Sequence, residues 1–270
     1  MVNNIKSSSF YYWKKTKNNN SDKELLDLVR LIQNKNKYRY GVTRITADLK
    51  NYSKKTFNHK RVARIMKTYG LNARIRRRKF PKHYYKQKAK EQENIPKNIL
   101  NRNFSTNLPM KKLVTDITYL PTKDGWCYLN AILDLYNKEI ISYRISKHHT
   151  MPFVLETVKK LAKNRDCKGI LFHSDQGFTY TNTAYRKLLK NLGMVQSMSR
   201  RGNCWDNSYM ENFFGHLKSE LYFPKKGSQV KESFEEIKKT IDQYIYWYNN
   251  DRIQKKLGYK SPIQFRVFAA

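Results

Sequence analysis

The stretch from residue 110 to 221 alternates strand-like and helix-like segments, and this order constrains the chain more than any other feature. Residues 113–120, 128–136 and 140–145 are apolar and β-branched runs, with turn-prone Asn137 between the second and third. A helical period follows over 151–163, where Val154, Leu155, Val158 and Leu161 are apolar. A short apolar run at 169–172, a helix at 183–192, a strand at 194–198 and a helix over 205–221 complete the order β-β-β-α-β-α-β-α. That order predicts an α/β fold, a mixed sheet with helices on its faces. A further helix is predicted over 234–248.

The preceding residues read differently. Three helices are predicted in 21–70. Ser21-Asp22 is positioned to cap the first, which carries Leu25, Leu28, Val29 and Ile32 at helical spacing. The second follows Gly41 and carries Val42, Ile45 and Leu49. Asn58 can cap the third, with Val62, Ile65, Met66 and Tyr69 on one face and Gly70 as its stop. Arg61, Arg64 and Lys67 fall away from that face. Such a unit reads either as a helix-turn-helix-like DNA reader or as a three-helix scaffold with a solvated charged face. The loop over 51–57 is expected to be long for a tight turn. Residues 1–20 are polar apart from the knot Phe10, Tyr11, Tyr12 and Trp13.

Charge narrows the function classes. The 270 residues hold 55 Lys and Arg against 21 Asp and Glu, a net charge of +34. A compact chain of that charge repels itself, and a polyanion relieves it. The densest basic stretch is 72–102. It includes Arg74, Arg76, Arg77, Arg78 and Lys79, is broken by Pro81 and Pro96, and reads as a phosphate-tracking arm. No run approaches the ~18 apolar residues of a membrane span. No secretory signal is expected. Three scattered cysteines fit neither a disulfide framework nor a zinc site, so a reducing, intracellular setting is expected.

Three acids stand out. Asp116 interrupts the apolar run Val114-Thr115-Asp116-Ile117. Asp175 follows a strand in His173-Ser174-Asp175-Gln176-Gly177, at the strand end where α/β sheets place their sites. Glu211 sits roughly 100° around its helix from Met210, beside the stripe Met210, Phe214, Leu217 and Leu221. Asn207, Gly215 and Lys218 share its face. A carboxylate in an apolar strand is costly unless paired or metal-bound. Three of them suit two Mg²⁺ ions, with Mn²⁺ as the alternative. His173 reads either as a group near the scissile phosphate or as a hydrogen-bonded strand residue. Cys204 reads as a turn residue rather than a nucleophile.

The spacing is Asp116, 58 residues, Asp175, 35 residues, Glu211. Together with Thr115-Asp116-Ile117-Thr118-Tyr119, Asp206-Asn207 ahead of Glu211, Lys218, and the tail from Tyr248-Asn249-Asn250-Asp251-Arg252 to Ser261-Pro262, it resembles the DDE transposases and retroviral integrases. More narrowly, it resembles the second-frame protein (OrfB) of the IS-three group of bacterial insertion sequences, over nearly the whole chain. Leu113 stands where that family often has Trp, and Gln254 where its tail usually has His.

The resemblance implies a ribonuclease H-like core with Asp116, Asp175 and Glu211 as catalytic metal ligands. It implies Lys218 as a DNA contact and Asp134 as structural. Arg61, Arg64, Lys67, Arg76, Arg77, Arg78 and Lys79 join Lys218 as DNA-contact candidates. The expected organisation is an N-terminal segment (1–20), a helix-turn-helix-like domain (21–71), a basic arm (72–109), the catalytic core (110–225) and a helical extension (226–270). The implied activity is metal-dependent cleavage at element ends, then attack of the freed 3′-hydroxyl on another phosphodiester. The alternatives are a non-enzymatic DNA-binding regulator, or a ribonuclease H-like nuclease without strand transfer. The implied partners are element-end and target DNA, further copies on paired ends, and an upstream reading-frame product or fusion. The implied location is the bacterial cytoplasm, on the nucleoid.

Overall fold

The computed structural model describes residues 20–73, 95–221 and 231–268. The chain divides into two compact units, Met1–Arg76 and Arg77–Ala270. Among the described residues, no helix is long and apolar enough to cross a membrane.

The first unit is three helices: α1 (Asn20–Lys35), α2 (Val42–Ser53) and α3 (His59–Thr68). Leu25, Val29 and Ile32 of α1, Ile45 and Leu49 of α2, and Val62, Ile65 and Met66 of α3 are buried together. Gln33, also buried, donates its amide to the carbonyls of Tyr40 and Leu71, at 3.0 and 2.6 Å, tying the α1–α2 connection and the segment after α3 to α1. Asn58 caps α3 by accepting from the Lys60 N–H at 2.9 Å. Gly70 adopts φ +66°. Its left-handed turn lets Leu71 N–H reach the Met66 carbonyl at 2.8 Å, which satisfies the helix end.

Three details differ from expectation. The predicted cap residues Ser21 and Asp22 lie within α1, and Asp22 binds Arg61 and Arg64. α2 runs to Ser53, so the interhelical loop is only 54–58, closed by left-handed Lys54. Tyr69 is not on the buried face. It is exposed, with the Arg30 guanidinium 5.8 Å from its ring centre.

The second unit is built on a five-stranded sheet in the order β3-β2-β1-β4-β5. Its strands are β1 (Lys112–Thr122), β2 (Gly125–Asp134), β3 (Ile140–Ser146), β4 (Leu171–Ser174) and β5 (Val195–Met198). β1, β2 and β3 pair antiparallel, while β4 and β5 run parallel to β1. The connecting helices are α4 (Met151–Ala162), the single turn α5 (Phe178–Thr181) and α6 (Thr183–Asn191). A 3₁₀ turn (Cys204–Asn207) leads into α7 (Ser208–Leu221), followed by α8 (Phe234–Asn250) and α9 (Pro262–Phe268). The fold is thus a mixed sheet with flanking helices, the ribonuclease H-like integrase-core arrangement, preceded in the chain by three helices.

Strand alternation sends neighbours to opposite faces. Val114, Ala131 and Leu133 pack with Met210, Phe213, Phe214 and Leu217 of α7 and with Ile237, Ile241 and Tyr244 of α8. Leu113, Ile132 and Phe172 pack with Phe153, Val154 and Leu161 of α4 and with Tyr185 and Leu189 of α6. Phe213 therefore belongs to the α7 stripe, which the sequence reading omitted. Gly169, expected in a strand, instead forms a left-handed turn at φ +77°, and β4 starts at Leu171. Residues 205–207, expected as α-helix, form the 3₁₀ turn.

Two boundaries also differ. Residues 97–104, expected in a basic arm, pack onto the sheet unit. Leu100 is in its core, and the N–H groups of Ile99 and Leu100 donate to the Ser197 hydroxyl at 2.9 and 3.0 Å. α8, expected as an extension, contributes Ile237, Ile241, Tyr244, Ile245 and Tyr248 to one core. Asn249 locks it to β3 by accepting from the Ile140 N–H and donating to the Ile140 carbonyl, at 3.0 and 2.9 Å. The aromatic knot at Phe10 to Trp13 and the basic cluster Arg76, Arg77, Arg78 and Lys79 lie outside the described residues.

Candidate active site

The sheet register brings two of the three acids side by side. Val114 of β1 pairs with His173 of parallel β4. Two residues on, Asp116 and Asp175 therefore reach the same level of adjacent strands at the centre of the sheet. Both are half-buried. On β1, Thr115 fixes the backbone by donating its hydroxyl to Asn130 Oδ1 and to the Ala131 carbonyl. Asp116 Oδ1 accepts its neighbour's N–H, from Ile117, at 2.8 Å.

Asp175 is aimed by the turn after β4. Its Oδ1 accepts from the Gly177 N–H at 2.9 Å. A Cβ on Gly177 would sit 3.0 Å from that same oxygen, so glycine gives the carboxylate its room. Gln176 anchors the turn by donating to the Ser199 carbonyl at 3.0 Å. His173 takes the second of its two predicted roles. It is buried, with Nδ1 2.9 Å from the Ser197 hydroxyl and Nε2 3.0 Å from that of Ser199. Burial pushes its pKa down to about 4, so the ring is neutral and ties β4 to β5.

Glu211 comes from α7, and the start of that helix is held in place twice. Asn207 is buried and donates to the Thr115 carbonyl at 3.1 Å, directly before Asp116. Asp206 is fully buried. It takes Arg200 through Nε and Nη2 at 2.9 and 2.8 Å, Arg102 at 2.7 Å, and the Asn98 amide at 2.9 Å. These donors, Arg200 above all, hold its carboxyl well below the usual carboxylate range. Asp206 is thus a structural anchor. Glu211, one turn after Asn207, is exposed above the sheet.

The electrostatics distinguish this set. Burial, then the charge of Asp175, then that of Glu211, push Asp116 up to about 7, against partial relief from the Ile117 N–H and Lys218. Burial also raises Asp175 and Glu211. Asp116 is the member that feels both others. Among the described residues, no three His, Cys, Asp or Glu side chains close into a cage around a metal position. The donor set is nonetheless all carboxylate oxygen, with mutual repulsion that a hard divalent cation relieves, so its chemistry fits Mg²⁺.

Lys218, two turns along α7 from Glu211, lies with Nζ 5.1 Å from the Tyr119 ring centre and senses the Asp116 charge. Asp134 accepts the N–H groups of Met110 and Tyr136, at 2.8 and 2.9 Å, as befits a structural residue. Arg61 and Arg64 do not project freely from α3. Both bind Asp22, at 2.8 and 2.7 Å. Lys67 is exposed in its last turn.

Sequence reasoning missed several groups that build the site's frame. Arg102 and Arg200 gather on Asp206, and buried Arg252 pairs with Glu220 at 2.8 Å. Asp206 and Arg252 were visible as motif residues, but Arg102 and Glu220, which pair with them, lie 104 and 32 residues away.

Comparison with known proteins agrees with this fold. The Integrase core domain family matches residues 106–204, a second family of that description matches 211–268, and an HTH-like domain family matches 20–79. A transposase-like protein of Haemophilus influenzae is 39% identical over 78% of this chain and 93% of its own. The InsK transposase of insertion sequence element IS150 from Escherichia coli K12 is 36% identical over 97% of this chain and 90% of its own. Among solved structures, a chain of the simian T-cell lymphotropic virus intasome shares the fold. It has a TM-score of 0.51 and 13% identity, over 88% of this chain and 73% of that one.

Proposed function

Because the chain belongs to the IS-three family of insertion-sequence transposases, with an integrase core domain and an HTH-like domain, we propose that Asp116, Asp175 and Glu211 form its catalytic centre for cutting and joining DNA. They would hold Mg²⁺, two ions in the fullest occupancy, with Mn²⁺ as substitute. The bound cation supplies charge that activates the attacking oxygen and stabilises the leaving one.

The chain's own residues do the placing. Asp116 and Asp175 present carboxylates from neighbouring strands. Asn207 holds α7 against the Thr115 carbonyl, so Glu211 faces the same space. Lys218 meets a phosphate beside the cleaved end. Lys67 and the basic cluster Arg76, Arg77, Arg78 and Lys79 also contact DNA. Arg61 and Arg64 do so where phosphate competes with Asp22. Water attacks phosphorus at an element end and a 3′-hydroxyl leaves. That hydroxyl then attacks another phosphodiester. One phosphorus–oxygen bond forms for each one broken, so no nucleotide cofactor is consumed. Copies of the chain assemble on paired ends, with or without an upstream reading-frame product. The proposed organisation keeps the helix-turn-helix-like domain and the basic arm, with 97–104 and α8 assigned to the core unit.

The observation that carries this reading is the setting of Asp116. A half-buried strand carboxylate, raised to about 7 by burial first and then by two acidic neighbours, is a poor structural choice and a good cation ligand. The test is strand transfer on a labelled element-end duplex with Mg²⁺, comparing wild type with Glu211→Gln. Joined products that vanish in the variant are expected. DNA binding without nicking or joining by wild type would indicate a regulator, and nicking without joining a plain nuclease. Either would refute the assignment.

A further inference from the structure

In the helical unit, α3 turns Val62, Ile65 and Met66 inward. Lys60, Arg64 and Lys67, at i, i+4 and i+7, share the opposite face and are exposed. Arg61 lies on the flank between the two faces. From α1, Asp22 reaches across to both arginines. Its Oδ1 accepts from Arg61 Nε at 2.8 Å and its Oδ2 from Arg64 Nη2 at 2.7 Å. The other two acids of α1 pair elsewhere. Asp27 meets Arg30 on its own helix at 3.6 Å, and Glu24 meets Lys55 of the interhelical loop at 3.4 Å. The Asp22 side chain is 22% exposed and that of Arg64 58%, so the carboxylate holds the guanidinium from the inner side and presents it to solvent. Burial works to raise the Asp22 pKa, but Arg64 and then Arg61 bring it below its ordinary value, and the carboxylate is charged.

This pairing sorts DNA contacts by kind. Binding to an arbitrary sequence is driven by the number of phosphates that cations neutralise. A phosphate that takes Arg64 must displace a carboxylate that already accepts a short, charge-assisted bond, so the exchange gains little. A guanine edge needs something else, a planar guanidinium that offers two donors side by side. A carboxylate behind the arginine fixes that plane before DNA arrives. Lys60 and Lys67, flexible point charges on the same face, suit the backbone.

We propose that Asp22 is a specificity-determining residue of the helical unit, which withholds Arg64 and its neighbour Arg61 from arbitrary phosphates and sets Arg64 as a bidentate reader of a guanine edge. This rests on the helical unit contacting DNA. It adds which of its contacts is selective and what makes it so.

The test uses the full chain in EDTA, so that binding is read without cleavage. A labelled element-end duplex and a scrambled duplex of the same length are titrated between about 50 and 200 mM KCl. Asp22→Asn is expected to bind the scrambled duplex about fivefold tighter at low salt, with a salt slope steeper by about one. Its preference for the element end should fall about tenfold. Asp22→Glu, which keeps the charge, should restore most of that preference. Adding Arg64→Gln to Asp22→Asn should reverse the gain on the scrambled duplex, which a folding defect does not explain. Unchanged or weaker scrambled-duplex binding by Asp22→Asn would overturn the proposal, since a purely structural brace predicts loss on both duplexes. So would an undiminished preference for the element end. If Arg64→Gln and Lys67→Gln leave both duplexes unmoved, the unit does not contact DNA and the proposal falls with that reading. If Lys67→Gln weakens both and only the Asp22 outcomes fail, the DNA-contact reading survives alone.

Discussion

Asp116→Asn should make the fold more stable at neutral pH while abolishing its chemistry. In the unfolded chain the carboxyl returns to its ordinary value near 3.8, and in the fold it stands at about 7. The folded state therefore binds the proton more tightly. The stability this contributes is full below about 3.8 and is lost as pH rises through about 7. At ~1.4 kcal/mol per pH unit the gap sets a ceiling of ~4 kcal/mol, and solvent relaxation brings a realistic figure to about 2–4 kcal/mol. Asparagine resembles the protonated acid at every pH. The variant should thus match wild type near pH 4 and exceed it by about 2–4 kcal/mol at pH 8. Urea unfolding in EDTA, followed by tryptophan emission, reads this directly, because Trp126, Trp205 and Trp247 all lie in the sheet unit. Adding Mg²⁺ should stabilise wild type and leave the variant unmoved, since a cation that binds only the folded acids adds stability by mass action. A difference that stays flat from pH 4 to 8, or a variant less stable at pH 8, would refute the account of Asp116 as a repelled carboxylate.

Three further outcomes follow from the packing around the site. Arg252→Met leaves the Glu220 carboxylate buried without its cation and should cost about 3–5 kcal/mol in urea unfolding, most of it recovered when Glu220→Leu is added. The His173 ring protons should not shift in NMR spectra between pH 8 and 5. The pKa is held down to about 4 in the fold against an ordinary 6.5, so its contribution to stability is present above 6.5 and lost as pH falls towards 4. A midpoint near 6.5 would count against the buried serine pairings. Gly177→Ala should leave the melting temperature nearly unchanged and lower strand transfer by up to about a hundredfold, because its Cβ meets Asp175 Oδ1 at 3.0 Å.

Strand and helix placement was legible because it depends on local periodicity. The run around Asp116 alternates faces, and the stripe from Met210 to Leu217 repeats at helical spacing. Two of the missed features share a cause, since each was settled by a partner far along the chain. Residues 97–104 look like a charged linker until Ser197 accepts two of their N–H groups and Asp206 takes Arg102. Arg61 and Arg64 look like phosphate ligands until Asp22, 39 and 42 residues earlier, takes both.

The same long-range pairing explains why composition alone could not separate working acids from structural ones. Asp22, Asp134, Asp206 and Glu220 carry the same carboxyl group as Asp116. In the fold, arginines hold Asp22 and Asp206, Arg252 holds Glu220, and Asp134 gives both oxygens to backbone N–H groups. Asp116 and Asp175 have one backbone N–H each among the described residues, and Asp116 has carboxylates for neighbours. Burial raises Asp134 as well, so a raised pKa does not by itself mark the site. Asp116 differs in combining burial, acidic neighbours and an incomplete set of donors. That combination leaves the strand carboxylate least satisfied by the protein itself, and so most in need of a cation from outside.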